Sequence, residues 1–179
     1  MEVFEAIQKR HSVRAYLPNP VPHEKLARIL EAARLAPSAS NVQPWHFVVV
    51  TDKQKRKELS ESRYAGFLAE APVIIVGCGD AEVSPKWHAI DVTIALENMV
   101  LAATGEGLGT CWIGSFEEQK VKQSLNIPAK FRVVALLAVG YEREELDSTG
   151  KAIQLIRRRK RLQDIASLDS FGCQFAEEP

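Results

Sequence analysis

The stretch AIDVTIALENMVLAATGEGLG, residues 89–109, constrains this chain more than any other. Ile90, Ile94, Leu96, Met99, Val100, Leu101 and Ala103 cover much of a helical circumference. A surface helix keeps a polar face. One that is apolar nearly all round belongs at the centre of a fold, with other elements packed about it. Gly105 and Gly107 supply its C-terminal stop. Asp91, near its start, reads as a helix cap.

The surrounding elements follow from periodicity. WHFVVVTD (residues 45–52) is a strand of aromatic and β-branched residues. PVIIVGCGD (72–80) is a continuous apolar run, so this strand is buried on both faces. TCWIG (110–114) is a short strand and RVVALLAVGY (132–141) a long one. Helices are expected over Val3–Lys9, with Val3, Phe4 and Ile7 at helical spacing, and from His23 to a stop at Pro37. A charged helical region follows over Lys53–Glu70, broken near Gly66, and another helix over Glu117–Leu125. YLPNPVP is a turn and SASNVQP a polar loop. Helices segregate around a few long strands without regular alternation, which predicts an α+β fold. The glycines of GCGD and GEGLG do not open a helix after a strand, so a dinucleotide-binding, doubly wound fold is disfavoured.

A length of 179 residues without repeats points to one domain, 1–179. Lys and Arg (23) balance Asp and Glu (23), which argues against a general nucleic-acid binder. The longest apolar run, Ala71–Gly79, is too short to cross a membrane. The first residues hold Glu2 and Glu5 and no apolar core, so a signal peptide is not expected. Cys78, Cys111 and Cys173 are odd in number and widely spaced, which suggests neither a disulfide framework nor a zinc site. The first two read as core thiols, and the cytoplasm is the expected compartment.

The histidines, His11, His23, His46 and His88, show no metal-ligand spacing, and neither HEXXH nor GXSXG occurs. No metal is expected, and no side-chain acid, base or nucleophile stands out. Such a protein can leave its chemistry to a cofactor. Two cationic clusters remain, KRHSVRAY (9–16) and RRRKRL (157–162), with the polar loop SASNVQP between them in sequence. The first cluster suits a helix C-terminus, where the macrodipole is negative, and equally suits an anion. Asn41 and Gln43 offer donors and acceptors to the edge of a heterocycle.

These motifs resemble the FMN-dependent nitroreductase family in a short form. RHSVR matches its arginine–x–serine–x–arginine signature, and APSASNVQPWHFVVV matches its proline–serine, asparagine, glutamine–proline–tryptophan segment running into a strand. DVTIALENMVLAATGEGLGTCWIG matches the third hallmark, and the tail RKRLQDIASLDSFG resembles the fourth. The matches come in order over nearly the whole chain. Two features depart from the pattern. Ser167 stands where the family often has histidine, and the segment between Gly79 and Asp91 is short, with Trp87 its one large aromatic.

The resemblance implies a mainly antiparallel sheet flanked by helices, in a homodimer with FMN at the subunit interface. It implies an enzyme that carries reducing equivalents from NAD(P)H to a nitroaromatic, quinone or similar small acceptor. Related chemistries in the family are dehalogenation, ene reduction and flavin destruction, and a non-catalytic FMN-binding protein is a further alternative. By resemblance, Arg10, His11 and Ser12 meet the phosphate and ribityl end, and Arg14 the N1/O2 edge. Pro37, Ser38, Ser40, Asn41 and Gln43 reach the flavin held by the partner, while Ile113 and Gly114 lie near N5 and O4. Arg159 and Arg161 close over the phosphate, Lys160 being able to replace one of them, within a tail from about residue 151 to 179.

Overall fold

Val73–Asp80 (β2) is buried at every position, as its apolar run predicts. It lies inside a four-stranded antiparallel sheet with Trp45–Val50 (β1), Gly109–Ile113 (β3) and Phe131–Gly140 (β4), in the order β1-β2-β4-β3. Side chains alternate between two cores. Ile74, Val76 and Cys78 join Leu136 on one face, and Val73 and Ile75 join Leu137 and Val139 on the other. The β2–β4 register slips by one residue between Gly77 and Cys78, which pair with Ala135 and Val133. The bulge lets both strands keep their apolar alternation.

The structure is a computed structural model, and it describes residues 1–61, 66–143 and 159–175. The chain divides into two units, Met1–Asp147 and Ser148–Pro179. Arg157 and Arg158 of the basic run, and the expected start of the tail near residue 151, lie outside the described residues.

In the first unit, the central apolar helix is His88–Gly105 (α4). Val92, Ala95, Leu96, Met99, Val100 and Ala103 are buried on one face of the sheet. The helix sits so close that a Cβ on Gly77 would lie 2.7 Å from Leu96 Cδ1. His23–Arg34 (α2) packs beside it through Ile29 and Ala33. Asn98 Nδ2 donates to Ala32 O at 3.1 Å, and Lys25 Nζ donates to Glu106 O at 2.5 Å, placing a cation at the C-terminus of α4. On the opposite face lie Lys53–Leu59 (α3) and Glu118–Leu125 (α5), which bury Leu59 and Val121. The Asp52 carboxylate caps α3 by accepting from Lys55 N–H at 2.9 Å. Within the Lys53–Glu70 region, α3 ends at Leu59 with Ser60 as its C-cap, and a short 3-10 turn covers Gly66–Ala69, with residues 62–65 outside the described residues.

One sequence expectation is corrected. Trp87 precedes α4 and makes no side-chain cap, while Asp91 lies inside the first turn with its carboxylate directed to another segment. Asp91 is thus not a helix cap. In Val3–Lys9 (α1), the apolar stripe faces outward: Val3 and Phe4 are each 69% exposed, and Ala6 is the buried residue. The short Ala6 side chain is the contact α1 can make without displacing α4, and it leaves the larger side chains uncovered.

Cys78 and Cys111 are buried cysteines, and burial pushes the Cys78 thiol up to about 11. Gly77 tests how α4 packs on the sheet. Gly77→Val forces α4 from the sheet, and overpacking of this kind costs about 1–3 kcal/mol. Urea unfolding should show a lower midpoint, and an unchanged one would mean that α4 has room to retreat.

Candidate functional site

The RHSVR segment leaves α1 at Arg10, whose N–H still donates to Ala6 O at 2.9 Å. The chain then runs alongside the sheet. Ser12 pairs in parallel with Thr110 of β3, and Val13 N–H donates to Thr110 O at 2.9 Å. Further on, Arg143 N–H donates to Ala15 O, Leu17 N–H donates to Tyr141 O, and Tyr16 pairs with Glu142. Val13 is fully buried and lies against Gly109, where a Cβ would approach Val13 Cγ2 to 2.6 Å. Fixing Val13, Ala15 and Tyr16 inward leaves Ser12 and Arg14 on the other side of the segment, half-buried. Arg14 donates to Ser12 O at 3.4 Å.

His11 is locked at both ring nitrogens. Nδ1 meets Lys9 O at 3.0 Å, and Nε2 meets the Glu142 carboxylate at 2.9 and 3.0 Å. Partial burial pulls the His11 pKa down, but the bond to Glu142, the Lys9 carbonyl and the Glu142 charge outweigh it, and the pKa rises above its ordinary value. Arg10 stands beside this imidazole and opposes the rise. Among the described residues no carboxylate pairs with Arg10.

The end of β3 lies along the same edge. The Ile113 side chain is buried in the core, so only its backbone can face a ligand. Gly114 is exposed, and among the described residues nothing lies within 4 Å of where its Cβ would be. The packing among the described residues therefore leaves open space beside that backbone.

The polar loop is built differently. After α2 and Leu35, the chain reaches Ser38, which is extended, and makes a tight turn over Ala39–Asn41. Ser40, Asn41 and Gln43 have φ of 51°, 55° and 53°, in the left-handed region that suits glycine. Ser38 Oγ accepts from Gln43 N–H at 2.9 Å, and the Gln43 amide donates to Asn41 Oδ1 at 3.1 Å. Ala39 N–H donates to Asp91 Oδ1 at 3.2 Å. Pro37, Ser40, Asn41 and Gln43 are exposed.

The sheet order separates these two groups. RHSVR and Ile113–Gly114 belong to the β3 edge, and the polar loop feeds β1 at the other edge. Two strands lie between, so β1 and β3 are about 14 Å apart at the usual strand spacing. One protomer does not bring the two sets of candidate residues together side by side.

In the second unit, Arg159 and Lys160 are exposed. Arg161 forks onto Asp164, with Nε to Oδ2 at 3.1 Å and the other branch to Oδ1 at 3.0 Å. This pairing lowers the Asp164 pKa. The segment then folds back on itself, with Ser167 paired antiparallel to Gln174 and Gly172 at φ 92°.

Among the described residues, no group of His, Cys, Asp and Glu could hold a metal ion, and no helix is long and apolar enough to cross a membrane. Sequence reasoning missed Glu142, the partner of His11, because one acid among several in YEREE carries no distinguishing signal. It also missed what Asp91 touches, although an acid in an apolar helix was the available clue.

The chain matches the family model described as Nitroreductase family over residues 7–66 and 60–141. It is similar to the 5,6-dimethylbenzimidazole synthase of Rhodospirillum rubrum, with 32% identity covering 77% of this chain and 81% of that protein. It is similar to the FMN reductase [NAD(P)H] of Bacillus subtilis, with 30% identity covering 78% of this chain and 66% of that protein. Among solved structures, an FMN-dependent nitroreductase from Clostridium difficile superposes with a TM-score of 0.77 at 31% identity, covering 98% of this chain and 99% of that one.

The His11–Glu142 pair gives stability a defined pH dependence. A histidine pKa raised by folding stabilises fully below the unfolded value of 6.5 and loses its effect as pH rises through the folded value. The stability advantage of the wild type over Glu142→Gln should therefore be larger at about pH 5.5 than at about pH 8.5. Urea unfolding of both proteins at each pH measures it, and an advantage that grows with pH would contradict the pairing.

Proposed function

Because this chain belongs to the Nitroreductase family of oxidoreductases, we propose that it is a cytoplasmic FMN enzyme that passes reducing equivalents from NAD(P)H to a nitroaromatic, quinone or similar small acceptor. The observation that carries the reading is the division of its candidate residues between opposite sheet edges. A two-fold dimer solves that separation, since the β1-edge loop of each copy can complete the β3-edge site of the other. The uncovered apolar side chains Val3, Phe4 and Ile7 of α1, with Ile90 and Ile94 of α4, offer the surface such a dimer buries.

The residues present suit FMN. Arg10, Ser12 and a His11 biased toward its protonated form are donors for a phosphate and ribityl chain. Arg14 sets a permanent positive charge at the N1/O2 edge. The open space at Gly114 admits close backbone approach, with Ile113 offering its main chain. Pro37, Ser38, Ser40, Asn41 and Gln43 of the second copy close the ring-facing side. Arg159 and Arg161 of the tail are further cations suited to a phosphate, and Arg161 could bind one only by giving up its fork on Asp164. When bound, FMN supplies the hydride-accepting centre. NAD(P)H and the acceptor take turns in one space, so the protein binds, orients and excludes water without a side-chain acid or base. The similarity to a 5,6-dimethylbenzimidazole synthase favours a second reading, in which the same scaffold turns over a different substrate. Anaerobic bleaching by NADH or NADPH, followed by acceptor-dependent return of the full flavin absorbance, supports the first reading. Flavin lost on each cycle supports the second.

Arg10→Ala should weaken FMN binding by about 1.5–3 kcal/mol, about tenfold to about a hundredfold, the usual value of a hydrogen bond to a charged group. The shared site has a sharper test. Arg10→Ala and Asn41→Ala proteins, each poor in FMN, should regain one wild-type-like site when mixed into heterodimers, because one site then collects both lesions. No recovery in verified heterodimers would place all these residues in one protomer's site.

Arg14→Gln removes the N1 cation while keeping approximate size. The two-electron potential should fall by some tens of millivolts, since about 30 mV corresponds to about 1.4 kcal/mol. A dye-referenced reductive titration reads it. An unchanged potential with FMN bound would move Arg14 to the phosphate or solvent.

A further inference from the structure

Asp91 is 3% exposed, in a helix whose other buried residues are Val92, Ala95, Leu96, Met99, Val100 and Ala103. One carboxylate oxygen, Oδ1, accepts from Ala39 N–H at 3.2 Å. The other, Oδ2, is buried with no hydrogen-bond partner among the described residues. A buried carboxylate that is half satisfied is unfavourable, and an apolar side chain of similar size would pack there more cheaply. Its place in the first turn of an 18-residue helix offsets part of this through the macrodipole. The remainder needs a reason outside the stability of α4.

What Asp91 holds supplies that reason. Ala39 opens the turn in which Ser40 and Asn41, and then Gln43, take left-handed backbone. Such strain persists only where the surroundings over-determine it, and it gathers at sites of function. The bonds from Ser38 Oγ to Gln43 and from Gln43 to Asn41 lie inside the loop and travel with it. The Ala39–Asp91 bond instead ties the loop to the buried helix, 52 positions away in sequence. Two turns and four turns further along, the same helix region grips α2 through Asn98 and Glu106. α4 is therefore the rail on which both α2 and the loop after it are registered.

We infer that Asp91 is a positioning residue for the flavin site: through Ala39 it sets the strained loop that presents Ser40, Asn41 and Gln43 to the second copy's flavin. This rests on the shared-site reading above. It assigns Asp91 no contact with flavin or substrate.

The test compares dimeric wild type with Asp91→Leu, which keeps the branched shape and removes the acceptor, and Asp91→Asn, which keeps an acceptor oxygen. Amide hydrogen exchange without FMN reads the anchor, and FMN titration reads its consequence. In Asp91→Leu, protection of the Ala39 amide should vanish and the FMN Kd rise by about tenfold, while Asp91→Asn recovers most of both. Unchanged Ala39 protection in Asp91→Leu overturns the anchor. Lost protection with a wild-type Kd overturns its link to flavin. If Asp91→Leu does not fold, Ala39→Pro removes the donor instead, and a wild-type Kd in that variant overturns the inference. Failure of wild type itself to bind FMN rejects the functional reading, while the exchange data still decide whether Asp91 holds the loop.

Discussion

The contact between α4 and β2 at Gly77 is the constraint on which the rest of this structure depends. A helix that is apolar nearly all round can be stable in water only if other elements enclose it. Removing the side chain at position 77 lets Leu96 and Val92 come down onto the strand, to the point where even a methyl group would collide. That depth sets where α2 lies, because α2 packs on α4 and is tied to it at Asn98 and Glu106. It also sets where the polar loop begins, because α2 runs directly into it and Asp91 grips its first turn.

The other half of the candidate site depends on a different device. RHSVR is not part of the main sheet, yet Ser12–Val13 beside Thr110 and Ala15–Leu17 beside the end of β4 hold it as firmly as an added strand. Val13 and Tyr16 are the buried anchors, and the polar residues between and before them are left to face outward. The charge of the segment is tuned by a residue far away in sequence, since Glu142 both orients His11 and favours its protonated form. Two constructions, one at each sheet edge, thus carry the two sets of candidate residues. This division is what the proposed two-copy working unit would resolve.

Much of this was legible in residue order. The period-two and period-3.6 patterns located each strand and most helices, because burial of one face is a local requirement repeated along the element. The motif residues were legible as types: arginines for a phosphate, amides for a heterocycle, a glycine for close approach. Where the reading failed, the cause was a partner distant in sequence. Asp91 looked like a cap until Ala39 was found beside it. The spacing of Val3, Phe4 and Ile7 located α1, while packing against α4 decided that its buried face is that of Ala6.

The sequence by itself determined that α4 is central and that β2 is buried on both sides. Each of these follows from side-chain type and spacing, which are properties of a single segment. Only the tertiary structure decided that RHSVR and the polar loop stand at opposite edges of the sheet, that Glu142 holds His11, and that Asp91 fixes the loop. These depend on strand order and on contacts 52 and 131 positions apart, and no local pattern encodes which distant segment will be brought alongside.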